Sequence, residues 1–233
     1  MPTTADIVDA AITSRRSVRA FLPTPIPRAT IEQILDVAAR APSGTNIQPW
    51  RVHALAGVAR EAFCDTVESA FLAGARAERG EYEYYPEPLF EPYLARRRQV
   101  GWALYGLLGI QRGESEKMRQ AHARNFRFFG APVGLICTID RRLKLGSWLD
   151  YGFFLANIAT AARGRGLDTI PQAAFANIEP VVRRALKLAD EEVVVCGMAI
   201  GRADPDAVVN QLHTPRVPAR EFSTFSGFAP EPV

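Results

Sequence analysis

The chain is poor in the residues that most often build local metal or thiol chemistry. It has three cysteines and three histidines in 233 residues, and no short spacing joins any of them. Cys64, Cys137 and Cys196 each lie in an apolar stretch, so we expect buried, reduced thiols rather than disulfides. The histidines stand alone, and no metal site is predicted.

Lysine is also scarce, since only Lys117, Lys144 and Lys187 among the 28 basic residues are not arginine. A planar guanidinium suits phosphate and carboxylate recognition, but an excess spread over the whole chain indicates no particular site. The net charge of +3 does not indicate a nucleic-acid partner. The basic run at 96–98 is better explained as a solvated helix face than as an RNA-binding patch.

Long apolar runs are missing. None approaches the roughly 18 residues that a membrane span needs, and the start MPTTADIVDA lacks the basic and apolar regions of a signal peptide. We therefore expect a cytoplasmic protein with no membrane partner. Hydrophobic residues make up 48% of the chain, which is enough for a core, and the length favours one domain over residues 1–233.

Signatures of side-chain catalysis are absent too. The sequence has no G-x-S-x-G elbow, no nucleophile beside a histidine and no local carboxylate pair. The glycines of GRGLD and GMAIGRAD do not form a phosphate-binding fingerprint between a strand and a helix. No catalytic side chain is predicted, and if the protein is an enzyme, a bound cofactor is expected to carry the chemistry.

Hydrophobic periodicity predicts an alternation of helices and strands. Helices are expected over 4–14, from an N-cap at Thr30 to Pro42, and over 58–78, 97–110, 114–129, 147–165 and 179–187. Strands are expected over 51–56, 133–139 and 192–201, with a short strand or extended loop over 168–174.

Two segments fit neither pattern. Residues from about 80 to 93 combine tyrosine, proline and glutamate, and this composition excludes a regular helix. From about 203 to 233 the pattern weakens, yet Phe222, Phe225 and Phe228 are too apolar to remain in water. This tail must pack on its own domain or reach around a second subunit.

The stretch SRRSVRAF places three arginines and a serine hydroxyl within five residues. In an extended segment, alternate side chains project to one side, so Arg15, Ser17 and Arg19 would form a grip for a phosphate or another polyanion. A set of basic residues ending a surface helix explains the same spacing.

Taken together, four stretches resemble the FMN-dependent nitroreductase family over nearly the whole chain. They are SRRSVRAF, then APSGTNIQPW, GLDTIPQAAF and TPRVPAREF, in that order. The stretches RRRQVGWALYGLLGI and IPQAAFA further resemble the branch that includes nitrobenzoate reductases. The resemblance implies an α+β, nitroreductase-like fold, in which helices flank a mixed sheet of four or five strands. It also implies an intertwined homodimer with an exchanged C-terminal arm.

The resemblance implies FMN as cofactor, with NADH or NADPH as electron donor. Arg15, Arg16 and Ser17 would contact the phosphate and ribityl chain, Arg19 would lie near the pyrimidine edge of the flavin, and Arg216 would reach the phosphate from the tail. A loop of the opposite subunit would complete the site with Pro42, Ser43, Gly44 and Asn46.

The segment Pro171, Gln172, Ala173 and Ala174 would run over one flavin face and offer a backbone N–H to the flavin N5. Many relatives have Glu-Gly where this chain has Ala173-Ala174. A main-chain donor does not need that side chain, so we expect the contact to be retained. Without this resemblance, the same segment is only the end of a strand.

The implied activity is hydride transfer from NAD(P)H through N5 to a nitroaromatic or quinone-like acceptor, in two half-reactions. The segment from about 80 to 93 is a candidate substrate lid with Tyr82 and Tyr85, and it could equally be a plain surface excursion. Glu81, Tyr82 and Tyr85 also resemble the lid of flavoproteins that dehalogenate iodotyrosine, although no lysine precedes Lys117. A flavin-binding protein without turnover is a further alternative.

Overall fold

The longest strand runs through the middle of the sheet. In the computed structural model, which describes residues 1–76 and 81–229, it spans Glu192–Ala203, and its first ten residues are buried. The described strands are β1 (Phe21–Leu22), β2 (Arg51–Ala56), β3 (Val133–Asp140), β4 (Asp168–Gln172) and β5 (Glu192–Ala203). The run EVVVCGMAIG is apolar without alternation because both of its faces are covered.

β5 has neighbours along both edges. β3 pairs with one edge and separates β5 from β2, whereas β4 and then β1 pair with the other edge. All these ladders are antiparallel, and the parallel component is the isolated bridge between Ser17 and Thr169. The predicted α+β class with five strands is confirmed, and the sheet is mixed only through this bridge.

Helices cover both faces of the sheet. They are α1 (Thr4–Ser14), α2 (Arg28–Ala38), α3 (Gly57–Leu72), α4 (Tyr93–Leu107), α5 (Ser115–Ala123), α6 (Leu145–Arg163), α7 (Glu179–Leu186) and α8 (Ala219–Phe222). Residues of β3 alternate between two cores, so that Leu135 packs with α2 and α6 while Ile136 packs with α3 and α7. None of the helices in the described ranges is long and apolar enough to cross a membrane.

Several predicted boundaries are wrong. Thr30 does not cap α2, because the carbonyl of Pro27 already accepts from the N–H groups of Thr30 and Ile31 and the helix begins at Arg28. The helix expected over 58–78 ends at Leu72, and residues 77 and 78 of that prediction lie outside the described residues. The helix expected over 97–110 begins earlier, at Tyr93, directly after Pro92.

The helix predicted over 114–129 also ends early, at Ala123. A 3-10 helix over Arg124–Gly130 follows, and in it Phe128 and Phe129 have left-handed backbone angles, with φ of 51° and 53°. Both rings are buried in the core, and this burial is what a continued α-helix would prevent. Tertiary packing has therefore overridden the helical pattern.

Two glycines of the sheet make room for a pair of stacked rings. Phe128 and Phe175 lie with their centroids 4.9 Å apart and an interplanar angle of 25°. A Cβ added at Gly134 would come within 2.3 Å of the Phe128 ring, and one at Gly197 within 2.3 Å of the Phe175 ring. Because these positions of β3 and β5 carry no side chain, the rings of Phe128 and Phe175 fit against the sheet. This packing fixes the chain directly after β4, where Phe175 lies.

Replacing Gly197 by alanine should therefore destabilise the fold. Overpacking of a filled core costs about 1–3 kcal/mol, and the Phe175 ring is fully buried and cannot swing into solvent. Urea unfolding should show this loss for Gly197→Ala. Gly101→Ala is the matched control, because a Cβ there meets nothing within 4 Å. Equal stability of the two variants would contradict the packing argument.

Candidate active site

The arginine-rich segment that follows α1 is extended. The N–H of Val18 donates to the carbonyl of Thr169 at 3.2 Å, which attaches the segment to β4 beside the Ser17 bridge. The side chain of Val18 is fully buried. Its neighbours at 17 and 19 therefore point the other way, as the sequence alternation predicts.

These side chains line one large cavity, here called the arginine cavity. Its volume is about 1040 Å³. The predicted residues that line it are Arg15, Arg16, Ser17, Arg19 and Arg216. The last of them comes from the opposite end of the chain, so the fold brings together two motifs that the sequence keeps far apart.

The charge of the arginine cavity is strongly positive. Asp168 is the one carboxylate among its described lining residues, and Arg163 neutralises it through Nη1 and Oδ1 at 2.9 Å. Its other oxygen accepts the N–H of Ala203 at 3.2 Å. Burial lowers the pKa of Arg19, but a guanidinium stays charged at neutral pH. The cavity can therefore bind an anion with several negative charges.

Asn210 fixes the arginine segment in place and was missed by the sequence analysis. Its Oδ1 accepts the N–H of Arg19 at 2.8 Å, and its carbonyl accepts from Nη1 of Arg16 at 2.6 Å. Its Nδ2 donates to the carbonyls of Ala20 at 2.8 Å and Asp204 at 3.0 Å. Nothing local in VVNQL indicates this role, because Asn210 acts on residues almost 200 positions away.

A second cavity of about 440 Å³, here called the β4 cavity, adjoins the first. Arg19 lines both cavities. The predicted segment Pro171, Gln172, Ala173 and Ala174 lines the β4 cavity at the end of β4. Ala173 begins a 3-10 helix, and the first N–H groups of a helix have no partner within it.

Two buried oxygens at the end of β4 lack a hydrogen-bond partner among the described residues. They are Oγ1 of Thr169 and Oε1 of Gln172. The amide nitrogen of Gln172 donates to the carbonyl of Asn125 at 2.7 Å, which fixes the orientation of the side chain. A buried polar atom without a partner is costly. Gln172 lines the β4 cavity, so its Oε1 is available there to a ligand that donates hydrogen bonds, whereas Thr169 lines neither cavity.

The loop at 42–46 lies elsewhere in the protomer. Pro42, Ser43, Gly44 and Asn46 line neither cavity. The N–H of Gly44 donates to Oδ2 of Asp150 in α6 at 3.1 Å, so the loop rests on the first turns of that helix. Thr45 and Asn46 have φ of 49° and 61°, in a region that side chains seldom adopt. Within one chain, the structure does not bring this loop to the arginines.

The two tyrosines of the candidate lid have different environments. Tyr85 lines the β4 cavity. Tyr82 points to the sheet, where its hydroxyl donates to the carbonyl of Val195 at 2.5 Å and its ring lies 4.6 Å from that of Trp148. Glu81 forms a two-pronged ion pair with Arg141, with N–O distances of 3.1 and 3.2 Å. The segment is thus anchored at residues 81 and 82 and reaches the cavity at Tyr85.

The fold and the site define an α+β protein in which arginines from both ends of the chain line one cavity, beside a smaller pocket at a strand end. A model of the Nitroreductase family matches residues 12–202. The chain belongs to this family, and the resemblance seen in the sequence is confirmed.

Two similar curated relatives differ in the compounds for which they are named. The chain is 44% identical to the 4-nitrobenzoate reductase of Pseudomonas putida over 96% of this chain and 97% of the relative. It is 44% identical to the chloronitrobenzene nitroreductase of Comamonas testosteroni over 97% and 99%. Among solved structures, the FMN and NADPH-dependent nitroreductase NfnB from Sphigopyxis sp. strain HMH superimposes with a TM-score of 0.90. It is 37% identical, and the match covers 95% of this chain and 99% of that one.

The Asn210→Ala variant should be less stable than the parent protein. It removes three side-chain hydrogen bonds and leaves the N–H of Arg19 and the carbonyl of Asp204 without their partner, while the carbonyl of Ala20 keeps the N–H of Asp204 at 3.0 Å. The expected cost is about 1–3 kcal/mol in the free energy of unfolding, measured by urea denaturation. The exposed neighbour Gln211→Ala is the control. An unchanged unfolding midpoint for Asn210→Ala would show that the arginine segment does not need this residue.

Proposed function

We propose that this protein is an FMN-dependent nitroreductase that uses NADH or NADPH to reduce nitroaromatic or quinone-like acceptors. The observation that carries the proposal is the meeting of Arg15 and Arg216 at one cavity beside the segment that ends β4. Membership of the family and the FMN dependence named for the similar solved structure support it.

The residues present fit FMN. Guanidinium groups and the hydroxyl of Ser17 suit a phosphate, since each charge-assisted hydrogen bond contributes about 1.5–3 kcal/mol. Three such bonds give roughly 5–9 kcal/mol before ordering costs, and micromolar binding needs about 8. The partnerless Oε1 of Gln172, in the lining of the β4 cavity, can accept from a hydroxyl or ring N–H group of the same ligand.

Each part of the site then has a role. Arg15, Arg16, Ser17 and Arg216 hold the phosphate end. Arg19, which lines both cavities, places a fixed positive charge at the pyrimidine edge and favours the more negative, reduced form. The backbone N–H groups at Ala173 and Ala174 face the reactive edge. Bound FMN supplies hydride transfer at N5 between the donor and the acceptor.

No side chain is assigned a proton transfer. The described residues that line the β4 cavity include no aspartate or glutamate, and Asp168 in the arginine cavity is already paired. Water can supply the protons for the reduced product, and the proton-bearing side chains that line the β4 cavity are those of Tyr85, Tyr105 and His122. This agrees with the lack of a catalytic dyad in the sequence.

The site is proposed to be completed by a second copy of the chain. α1 and α6 expose apolar side chains, among them Ile7, Ile12, Leu145, Leu149 and Phe153. In the tail, Phe222, Phe225 and Phe228 are 71%, 64% and 76% exposed. A homodimer with an exchanged C-terminal arm would cover such surfaces. It would also bring the loop at 42–46 to the partner's arginine cavity. The positive φ angles of Thr45 and Asn46 would then serve to position the loop for binding.

The dehalogenase alternative is weakened by the lid. Two of the three residues that it needs are bonded within the protomer, Glu81 to Arg141 and Tyr82 to the carbonyl of Val195. Tyr85 remains the lid residue that lines the β4 cavity, with Arg97 over its ring and the ring of Tyr84 4.6 Å away, and the lid over the acceptor stays part of the proposal. A cytoplasmic location stays a prediction.

The purified protein should be yellow and contain one FMN per chain. Under argon, NADPH or NADH should bleach the flavin absorbance, and nitrobenzene should then restore it, because the two half-reactions are separate. Visible spectroscopy with stoichiometric addition measures both. A colourless protein that takes up no FMN would refute the proposal. Bleaching without reoxidation by any nitroarene or quinone would leave only a flavin-binding protein.

Subunit complementation tests whether the site is shared. Arg15→Ala removes a phosphate ligand, and Asn46→Gly alters the loop while tolerating the positive φ. If both residues serve one site from different subunits, a heterodimer of the two variants has one intact site and one doubly altered site. Nitroreductase activity and FMN content should then recover to about half of the parent's.

The control mixes each variant with the parent chain, which fixes the activity expected when one site is intact. If residues 15 and 46 served a site within the same chain, every site of the heterodimer would carry one change. The activity of the heterodimer would then not exceed that of the homodimers of either variant. This result would exclude the shared site.

A further inference from the structure

A third cavity, here called the outer cavity, lies between the end of α3 and α5. Its volume is about 600 Å³, and the rings of Phe71 and Phe126 supply part of its wall. Three side chains line both the outer cavity and the β4 cavity, and they are Tyr105, His122 and Asn177. These side chains therefore stand at the boundary between the two cavities.

His122 is the side chain at this boundary whose charge can change near neutral pH. Its ring packs against Phe71 and Phe126, with centroid distances of 5.3 and 6.0 Å, and the residue remains exposed to solvent. Within residues 1–76 and 81–229, its ring nitrogens form no hydrogen bond, whereas Nε2 of His53 lies 2.8 Å from Oε2 of Glu192. The ring of His122 can therefore exchange protons with water or with a ligand.

The other charged groups that line the two cavities are arginines. They are Arg19, Arg76, Arg97, Arg119 and Arg124, and the described linings include no carboxylate. Arg119, on the same helix as His122, is paired with Glu116 at 2.8 Å. Burial, and then the charge of Arg76, lowers the pKa of His122. An imidazolium at this position therefore gives up its proton more readily than one in water.

Reduction of a nitro group consumes protons as well as hydride. In the first two-electron step, hydride from NAD(P)H brings two electrons and one hydrogen, and one proton brings the second hydrogen. One N–O bond breaks, the oxygen leaves as water, the nitroarene becomes a nitrosoarene, and NAD(P)H is oxidised to NAD(P)⁺. The proposed function leaves the donor of that proton unassigned. The proton is needed inside the β4 cavity, and solvent reaches His122 from the outer cavity.

We propose that His122 is a catalytic residue that donates this proton. Its imidazolium gives the proton to the oxygen that leaves the nitro group, and the neutral imidazole then takes a proton from water in the outer cavity. Water stays the ultimate source, and His122 delivers the proton from one cavity to the other. The inference rests on the proposed function, because it names the proton donor of the same reaction.

Stopped-flow kinetics of the oxidative half-reaction test the proposal. The holoenzyme is reduced with NADPH under argon and mixed with nitrobenzene at a series of pH values. In the parent, the rate constant should fall as the pH rises through the pKa of His122, because the imidazolium is the active form. The midpoint should lie below the ordinary imidazole value of about 6.5, since the pKa is lowered.

His122→Gln should abolish this pH dependence and lower the rate constant below the midpoint about a hundredfold, as expected for loss of a positioned acid. His122→Ala should regain activity when imidazole is added, because the shortened side chain leaves room for it. A second readout is the pKa of His122 in the oxidised holoenzyme, measured by NMR of the imidazole C–H protons. It should coincide with the kinetic midpoint.

Two controls separate proton donation from a structural effect. Ferricyanide accepts electrons without taking up a proton, so it should reoxidise reduced His122→Gln at the rate of the parent. His53→Gln removes a histidine that lines neither cavity, and the new amide can still donate to Glu192. This variant should keep the pH dependence of the parent. FMN content is measured for every variant.

An unchanged rate constant with nitrobenzene, or a pH dependence that survives in His122→Gln, would overturn the proposal. An equal loss of rate with ferricyanide would overturn it too, because the substitution would then disturb the flavin site in general. In these cases the proposed function stands, since NADPH still bleaches the parent and nitrobenzene still reoxidises it. If the parent itself is not bleached or not reoxidised, the proposed function fails and this inference fails with it.

Discussion

Pairing along both edges of β5 is the constraint on which the site depends. One edge carries β3, and the other carries β4 over Asp168–Gln172 and β1 at Phe21–Leu22. The arginine segment is attached to β4 through the Ser17 bridge and leads directly into β1, which pairs with β5. Backbone hydrogen bonds therefore set its position, and the arginine side chains do not. β1 and β4, which are far apart in sequence, thereby position the arginine segment and the segment that ends β4 next to each other.

Collecting arginines in this way is unfavourable without a ligand. Like charges repel most strongly where burial removes water, and burial already lowers the pKa of Arg19. The fold compensates elsewhere, with Asn210 holding the backbone and Arg163 neutralising Asp168. A multiply charged anion would relieve this repulsion, so binding and folding stability should be linked.

The two cavities differ in their linings. The arginine cavity has the donors for a phosphate end, whereas the β4 cavity combines apolar walls with Arg19, Arg97 and Arg124. Arg19 lies at their junction. A ligand that fills both cavities is therefore held at its charged end and leaves its other face to a smaller molecule.

Much of the architecture followed from local pattern, since α1, β2, α7 and the buried run of β5 occur where periodicity predicts them. The arginine segment and the segment ending β4 were also recognisable, because their residue types and order are distinctive. Thr30 as a cap and the helix through Phe129 were wrong, because Pro27 offered an earlier carbonyl and the core required the rings of Phe128 and Phe129. Hydrophobic periodicity predicts the local backbone conformation. It carries no information on which other carbonyl accepts a hydrogen bond or which side chains the core must bury.

The chain by itself indicated that Arg15, Ser17 and Arg19 lie on one side of an extended segment, where they could bind an anion, because charge and alternation are local properties. The meeting with Arg216 was expected from the family resemblance alone, and the tertiary structure places it at the same cavity. Only the tertiary structure decided that Asn210 holds the segment and that Arg97 lies over Tyr85 in the lining of the neighbouring cavity. These meetings depend on strand pairing and core packing between residues far apart in sequence, and no local pattern encodes which partners the folded chain brings within reach.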